Sequence, residues 1–290
     1  FEELSEEERK KLYPILGAER TVEEVARAGF DGWDFSMFQM FHYDWAEKRI
    51  CPSDHPLAGP NDLTFARQLK QIGLDNGIVC NQSHAPFPSV WPEARNSLLR
   101  AIACTAEAGG QICVIHPGND CTPEENAEMF ETLLPFAKAH GVKIAMENMW
   151  NWDNGKEQAT PAACSDPASF LAHLNAVHDD SLVACLDIGH AEMRGLGTSA
   201  VEMIHALGPH LQALHVHDND RWHDSHQIPC SMEIDFAAIL RALREAGYHG
   251  WLTLEADAYL KTYRGTAAEG VRQLAIAARR LAELFDAPDL

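Results

Sequence analysis

Residues 211–226 read LQALHVHDNDRWHDSH, an apolar run that ends in four histidines and three aspartates. Imidazole and carboxylate groups are ligands for borderline and hard divalent metals, and they also move protons near neutral pH. Side chains alternate along a strand, so Leu211, Ala213, His215 and His217 share one face, and two imidazoles leave it on the same side. Any one of these residues alone reads as part of a polar surface loop. The cluster gains meaning from the ends of the other apolar runs, where SHAPF supplies His84, IHPG His116, MEN Glu147, LDIGH Asp187 with His190, and LTLEAD Glu255. Singly, the two histidines His84 and His116 read as turn or capping residues and the glutamates as solvated carboxylates. Jointly they predict a metal site, because a carboxylate ending an apolar strand is costly unless paired or coordinated. A mixed carboxylate and imidazole set without cysteine points to manganese, magnesium, cobalt or zinc and does not choose among them.

These groups can meet only if their strands run the same way, and the signals between them alternate accordingly. TVEEVARAG predicts a helix with Thr21 as N-cap, Glu24 completing a capping box and Gly29 as the stop. A strand follows in FDGWDFSMF, where Asp34 or Ser36 faces either a pocket or a structural hydrogen bond. Further helices are expected over about 62 to 75, from Pro92, from the capping box at Thr122 to Glu125, from Asp166, near 198 to 207, from Asp235 and over about 267 to 286. Strands fall between them in IVCNQSHAPF, ICVIHPG, VKIAMENM, LVACLDIGH, the run into His215, and WLTLEAD. The earlier candidate, LYPILGA at 12–18, is short and contains Pro14, so a first strand there is weak or irregular. Near-continuous apolar strands suit a parallel sheet buried on both faces. The pattern predicts an α/β fold, a (β/α)8 TIM barrel formed by residues 1–290 as a single domain, whose strand ends open on one face. An open doubly wound sheet fits less well, since no GxGxxG loop occurs. The segment 38–60 is long enough to read as a lid, and glycine 189 reads as permitting a tight turn between Asp187 and His190.

The chain's 290 residues, 46% hydrophobic and 23% charged, are enough for a sizeable core. No stretch approaches the roughly 20 apolar residues that cross a bilayer, and FEELSEEERKK is unlike a signal peptide, so a cytoplasmic protein without membrane association is expected. The eight cysteines form no CxxC pair and are expected to be reduced and mostly buried. A formal charge of −20 argues against nucleic acid as a partner. Exposed apolar surface on barrel helices is expected to favour a homo-oligomer.

The series SHAPF, IHPG, MEN, LDIGH, LHVHDND, DSH and LTLEAD resembles the xylose-isomerase-like TIM-barrel superfamily, which includes sugar and sugar-phosphate isomerases and epimerases together with endonuclease IV. Similarity to the ketose 3-epimerase branch implies that Glu147, Asp187, His215 and Glu255 hold one divalent metal. It also implies that His84, His190 and Arg221 contact the substrate and that Asp153 stands where that branch has a further carboxylate. The implied reaction is isomerisation or epimerisation of a sugar or sugar phosphate through an enediolate, with Glu147 and Glu255 as the acid/base pair. A hydride shift and the dehydration of a cyclic polyol are alternatives in related barrels. Endonuclease IV implies another use, since His84, His116, Glu147, Asp187, His190, His215, Asp224, His226 and Glu255 occupy its three-zinc positions; the acidic charge ranks phosphodiester hydrolysis second. A silent barrel that binds metal or sugar for recognition is a third reading, opposed by the complete carboxylate set. One departure stands out: many relatives read PGEGDIDF after the histidine cluster, where Pro229 to Phe236 is PCSMEIDF, and losing both glycines changes the backbone available beside Asp224 and His226.

Overall fold

The computed structural model describes residues 20–287. Helix α1 (20–28) stops at Gly29, whose φ of 102° only glycine adopts cheaply. Residue 20 is already helical, so Thr21 lies in the first turn and is not the cap expected of it. The chain continues through β1 (Gly32–Ser36), β2 (His42–Asp44), β3 (Arg49–Cys51), α2 (Asp62–Asp75), β4 (Val79–His84), α3 (Arg95–Ala108), β5 (Ile112–Ile115), α4 (Pro123–Ala139) and β6 (Lys143–Glu147). It closes with β7 (Trp150–Asp153), β8 (Gln158–Pro161), α5 (Pro167–Ala176), β9 (Leu182–Asp187), α6 (Ile188–Ala191), α7 (Ala200–Leu207), β10 (Leu211–His215), α8 (Phe236–Glu245), α9 (Asp257–Thr262) and α10 (Ala267–Asp286).

Six strands form one parallel sheet in the order β1-β4-β5-β6-β9-β10, the βα repetition of a TIM barrel. The run after Trp251 was expected as a full strand and is only a bridge, Val216 to Leu254, secured by Val216 N–H to the Thr253 carbonyl (2.8 Å) and Glu255 N–H to the Val216 carbonyl (3.0 Å). Side chains take over the remaining ties. The Tyr248 hydroxyl donates to the Trp251 carbonyl, and Thr253 joins Asn81 and Gln82 of β4. The expected first strand at 12–18 lies outside the described residues. The segment 38–60 is not an open loop, because β2 and β3 pair as an antiparallel hairpin; β7 and β8 form a second hairpin that the sequence patterns did not reveal.

Alternation along the strands divides the core. Val114, Ala145, Val183, Cys185 and Ala213 point into the barrel, whereas Ile115, Ile144, Met146 and Leu186 pack outward with Phe130, Leu133 and Phe170 of the helical layer. Small inward residues leave the strand ends close together. The helices start where their caps dictate: Thr122 with Glu125, and Thr266 with Glu269, are reciprocal capping boxes, and Asp166, Ser199 and Asp235 each accept from a first-turn amide. Phe130, on the inner face of α4, is wholly buried, so Phe130→Ala should cost about 3–5 kcal/mol of unfolding free energy, measured as a shift of the urea midpoint at unchanged slope.

Candidate metal centre and active site

β4, β6, β9 and β10 end on His84, Glu147, Asp187 and His215 respectively, and His116 follows β5 immediately. Parallel pairing then fixes the neighbours, since Asp187 is in register with His215, and Glu147 with Cys185. His215 Nδ1 is 2.8 Å from Glu147 Oε1 and 3.2 Å from Glu255 Oε2. On the other side of Glu147, Oε2 is 3.1 Å from His116 Nε2 and 3.4 Å from His84 Nε2, and His84 Nδ1 is 3.5 Å from Glu255 Oε1. One ligand atom from each of Glu147, Asp187, His215 and Glu255 lies within 4.8 Å of the others. These are the four residues expected to hold one ion.

A second ring of ligands adjoins the first. Asp224 Oδ2 is 3.3 Å from His190 Nε2 and 3.2 Å from His226 Nε2, and His217 Nε2 is 3.1 Å from Asp187 Oδ1 and 3.5 Å from Asp224 Oδ1. Thus His84 and His116 join the first cluster, and His190, Asp224 and His226 gather in the second. His217 completes that second ring and was not among the expected ligands, although its place beside His215 on the strand face was readable.

Both clusters have the chemistry of cation sites. Glu147 Oε2, Asp187 Oδ2, His217 Nε2 and Asp224 Oδ1 are buried without any hydrogen bond although opposite charges lie close by. Their lone pairs converge without forming donor–acceptor pairs, as ligands do around an ion. Burial opposes the ionisation of Glu147, yet His215 and His116 hold its carboxyl well below the usual range. Glu255 is likewise lowered against its burial, by His215 and His84, and Asp224 by His190 and His226. The imidazoles answer in the opposite sense. Burial disfavours their charge, but Cys185, Glu147 and Glu255 raise His215, Asp187 and Asp224 raise His190, and Asp224 pushes His226 up to about 9. His116 alone among these imidazoles is lowered, burial outweighing Glu147.

Neutral contacts aim these groups. The Asn148 side chain clasps the Asp187 backbone, accepting its N–H at 2.7 Å and donating to its carbonyl at 2.9 Å, while Asp187 Oδ1 caps α6 through the His190 N–H at 2.7 Å. Gly189 has a different reason from the tight turn expected of it: a Cβ there would lie 1.9 Å from His217 Cε1, so the ring occupies the space of a side chain. Stacking on His226 at 4.0 Å and 12° holds the other face of His217. Beyond the ring, buried Asp218 accepts the N–H groups of Asn219, Met232 and Ile234, and Cys230 adopts a φ of 65°. The loop without the two glycines therefore still delivers Asp224 and His226.

Two expected substrate-binding residues stand apart from the clusters. Arg221 donates to buried Glu192 at 2.6 Å and takes a φ of 63°, which makes it a pin for the 219–227 loop. Asp153 Oδ1 accepts from the Gly155 and Lys156 amides and caps its own hairpin turn. Asp34 comes closer, with Oδ2 3.8 Å from His215 Nε2 and its carboxyl raised by burial against the pull of His215.

Among known proteins, the sequence pattern described as "Xylose isomerase-like TIM barrel" matches residues 22–280. An uncharacterised protein, MJ1311, of Methanocaldococcus jannaschii is 27% identical over 253 residues, which cover 81% of this chain and 78% of that protein. The fold is shared with a D-tagatose 3-epimerase-like protein (TM-score 0.65, 21% identity, 90% of this chain and 93% of that one). It is also shared with a D-psicose 3-epimerase crystallised with D-fructose (TM-score 0.69, 15% identity, 93% and 94%).

Gly189→Ala should expel His217 from its seat and weaken divalent-ion binding at the second ring by 10-fold or more, read by competition with a chromogenic chelator. Unchanged binding would show that the ring tolerates a methyl group. The raised imidazoles also set a pH dependence. Without metal, the stabilising contribution of His226 is complete below its ordinary value of about 6.5 and is lost as pH rises through about 9. A metal ion must displace such protons, so affinity should rise with pH across that window, and calorimetry in buffers of different ionisation enthalpy should record proton release on binding.

Proposed function

The chain belongs to the xylose isomerase-like TIM-barrel family, and from that premise we propose that it is a divalent-metal-dependent isomerase or epimerase of a ketose sugar. The observation that carries this reading is the pair of carboxylates, Glu147 and Glu255, set 2.8 Å and 3.2 Å from His215 Nδ1 at the mouth of the barrel. Both are held ionised by neighbouring imidazoles, so both can accept a proton. The 3-epimerase folds that resemble this one support the same class of chemistry. Glu147, Asp187, His215 and Glu255 would hold the ion, here manganese, zinc, cobalt or magnesium. When bound, it would polarise the sugar carbonyl and acidify the adjacent C–H.

The residues of the chain then divide the work. One glutamate, as the carboxylate, removes the proton beside the carbonyl and becomes the acid. The other, having first taken a proton from solvent, returns it to the opposite face in an epimerisation or to the neighbouring carbon in an isomerisation, and the first then loses its proton to solvent. His84, which lines the cleft, would donate a hydrogen bond to a sugar hydroxyl, whereas both His190 ring nitrogens face partners of the chain, the Asn148 carbonyl and Asp224. Asn148 keeps Asp187 oriented through its backbone.

The second ring, together with His84, His116 and Glu147, favours one competing reading, a multi-metal phosphodiesterase. The −20 charge weighs against it, because DNA binding rests on cations that neutralise phosphates. Glu255→Gln should cut solvent-deuterium incorporation into a ketose at least 100-fold while circular dichroism stays native and metal content is measured on the same sample. Undiminished exchange removes Glu255 from proton transfer. An abasic-site duplex should remain uncut under the same metal conditions, and efficient incision would reverse the ranking.

A further inference from the structure

Resting on the sugar-epimerase reading, we propose that the substrate is an uncharged glycoside, a ketose carrying a second sugar ring, and that the mouth of the barrel holds an aromatic subsite for that ring centred on Trp45. Two independent observations point to it. The first concerns charge at the end of the cleft away from the ligands. Among the described residues lining the cleft, the basic side chains are Lys261 and Arg279, and each is paired, with Asp257 at 2.7 Å and Asp31 at 2.7 Å. Arg221 is committed to Glu192, and Arg194 lies 4.7 Å over the Trp222 ring. Apart from the carboxylates gathered at the ligand end, the cleft wall carries Asp120. Among the described residues, a phosphate on the far end of a ketose would meet no lysine or arginine outside an ion pair, the reverse of what phosphate recognition needs.

The second observation is the distribution of rings. Phe38 meets His84 edge-on at 4.7 Å and Phe87 stacks on His116 at 4.9 Å, so these two cover whatever single sugar sits against the ligands. Trp45, on the turn between β2 and β3, lines the same cleft but packs on Tyr43 at 4.7 Å and is 69% exposed. Trp150, from the β7–β8 hairpin, lines the cleft too, 6.3 Å from His190. A large flat ring left wet at the rim of a site marks a surface that a ligand covers. Beside Trp150, Asn119 donates to the Trp150 carbonyl and to Asn151 Oδ1, and Asn151 donates to Asp120 Oδ1 at 2.8 Å. The Trp150 ring next to this shelf of amide and carboxylate groups matches a pyranose, which has C–H faces and a hydroxyl edge, and Trp45 adds a second, wet face on the same cleft. A free monosaccharide would leave Trp45 uncovered.

The test measures binding to the metal-loaded protein by tryptophan fluorescence and calorimetry. The probes are D-fructose, D-fructose 6-phosphate, and the neutral disaccharides isomaltulose, maltulose and lactulose, each a ketose with a second ring. At least one disaccharide should bind 10-fold or more tightly than fructose, and the phosphate no more tightly than fructose. Trp45→Ala, at an exposed position, should abolish the disaccharide advantage and leave fructose binding unchanged. The proposal is overturned if the phosphate binds best, if no disaccharide gains over fructose, or if the gain survives Trp45→Ala. Fructose binding without a disaccharide gain defeats this inference alone; failure of every sugar to bind a protein that holds its metal defeats the epimerase reading with it.

Discussion

His215 Nδ1 lies between Glu147 Oε1 and Glu255 Oε2, and neither the ring nor the Glu147 side chain has more than 1% of its surface in contact with water. An isolated carboxylate resists such burial by several kcal/mol. Here imidazoles and carboxylates offset one another, and no member can be removed without stranding the rest. The parallel sheet exists, in functional terms, to bring these groups into register at its C-terminal edge. The small inward residues below them, Val114, Ala145, Val183, Cys185 and Ala213, let the strands converge far enough for ligand atoms to meet.

The two clusters are not separate devices. Asp187 belongs to both: its carboxylate is grouped with Glu147, His215 and Glu255, and its Oδ1 lies 3.1 Å from His217 of the second ring. Asn148 fixes the Asp187 backbone through its side chain, and its own backbone carbonyl accepts from His190 Nδ1 at 2.9 Å. Gly189 gives up its side chain so that His217 can stand against the backbone. A short stretch, Asp187 to His190, therefore carries ligands for both rings and the clearance between them.

Much of this was legible in the sequence. The βα alternation, the capping boxes at Thr122 and Thr266 and the ligands at strand ends follow from local rules that tertiary structure did not override, and the four carboxylate and imidazole residues of the first cluster met as expected. What was hidden depended on contacts between distant segments. His217 could not be assigned because its role requires Asp224 to fold back and Gly189 to be vacant beside it. Arg221 was taken by Glu192, 29 residues away. The β7–β8 hairpin lacks the alternating apolar pattern that announces a strand, since none of Trp150 to Asp153 is fully buried. The last barrel segment kept a single bridge because Tyr248 and Thr253 side chains substitute for ladder hydrogen bonds.

Both antiparallel hairpins follow the C-terminal ends of strands of the parallel sheet, β1 and β6, as separate two-stranded sheets, and they carry the rim while the barrel carries the clustered imidazoles and carboxylates. An exposed rim residue such as Trp45 is exchangeable at a stability cost of roughly 0.5 kcal/mol or less, whereas a buried charged ligand is not. Natural variation is thus channelled: descendants of this chain are free to change which molecule they recognise long before they are free to change what they do to it. Divergence within such a lineage should appear as new appetites for old chemistry.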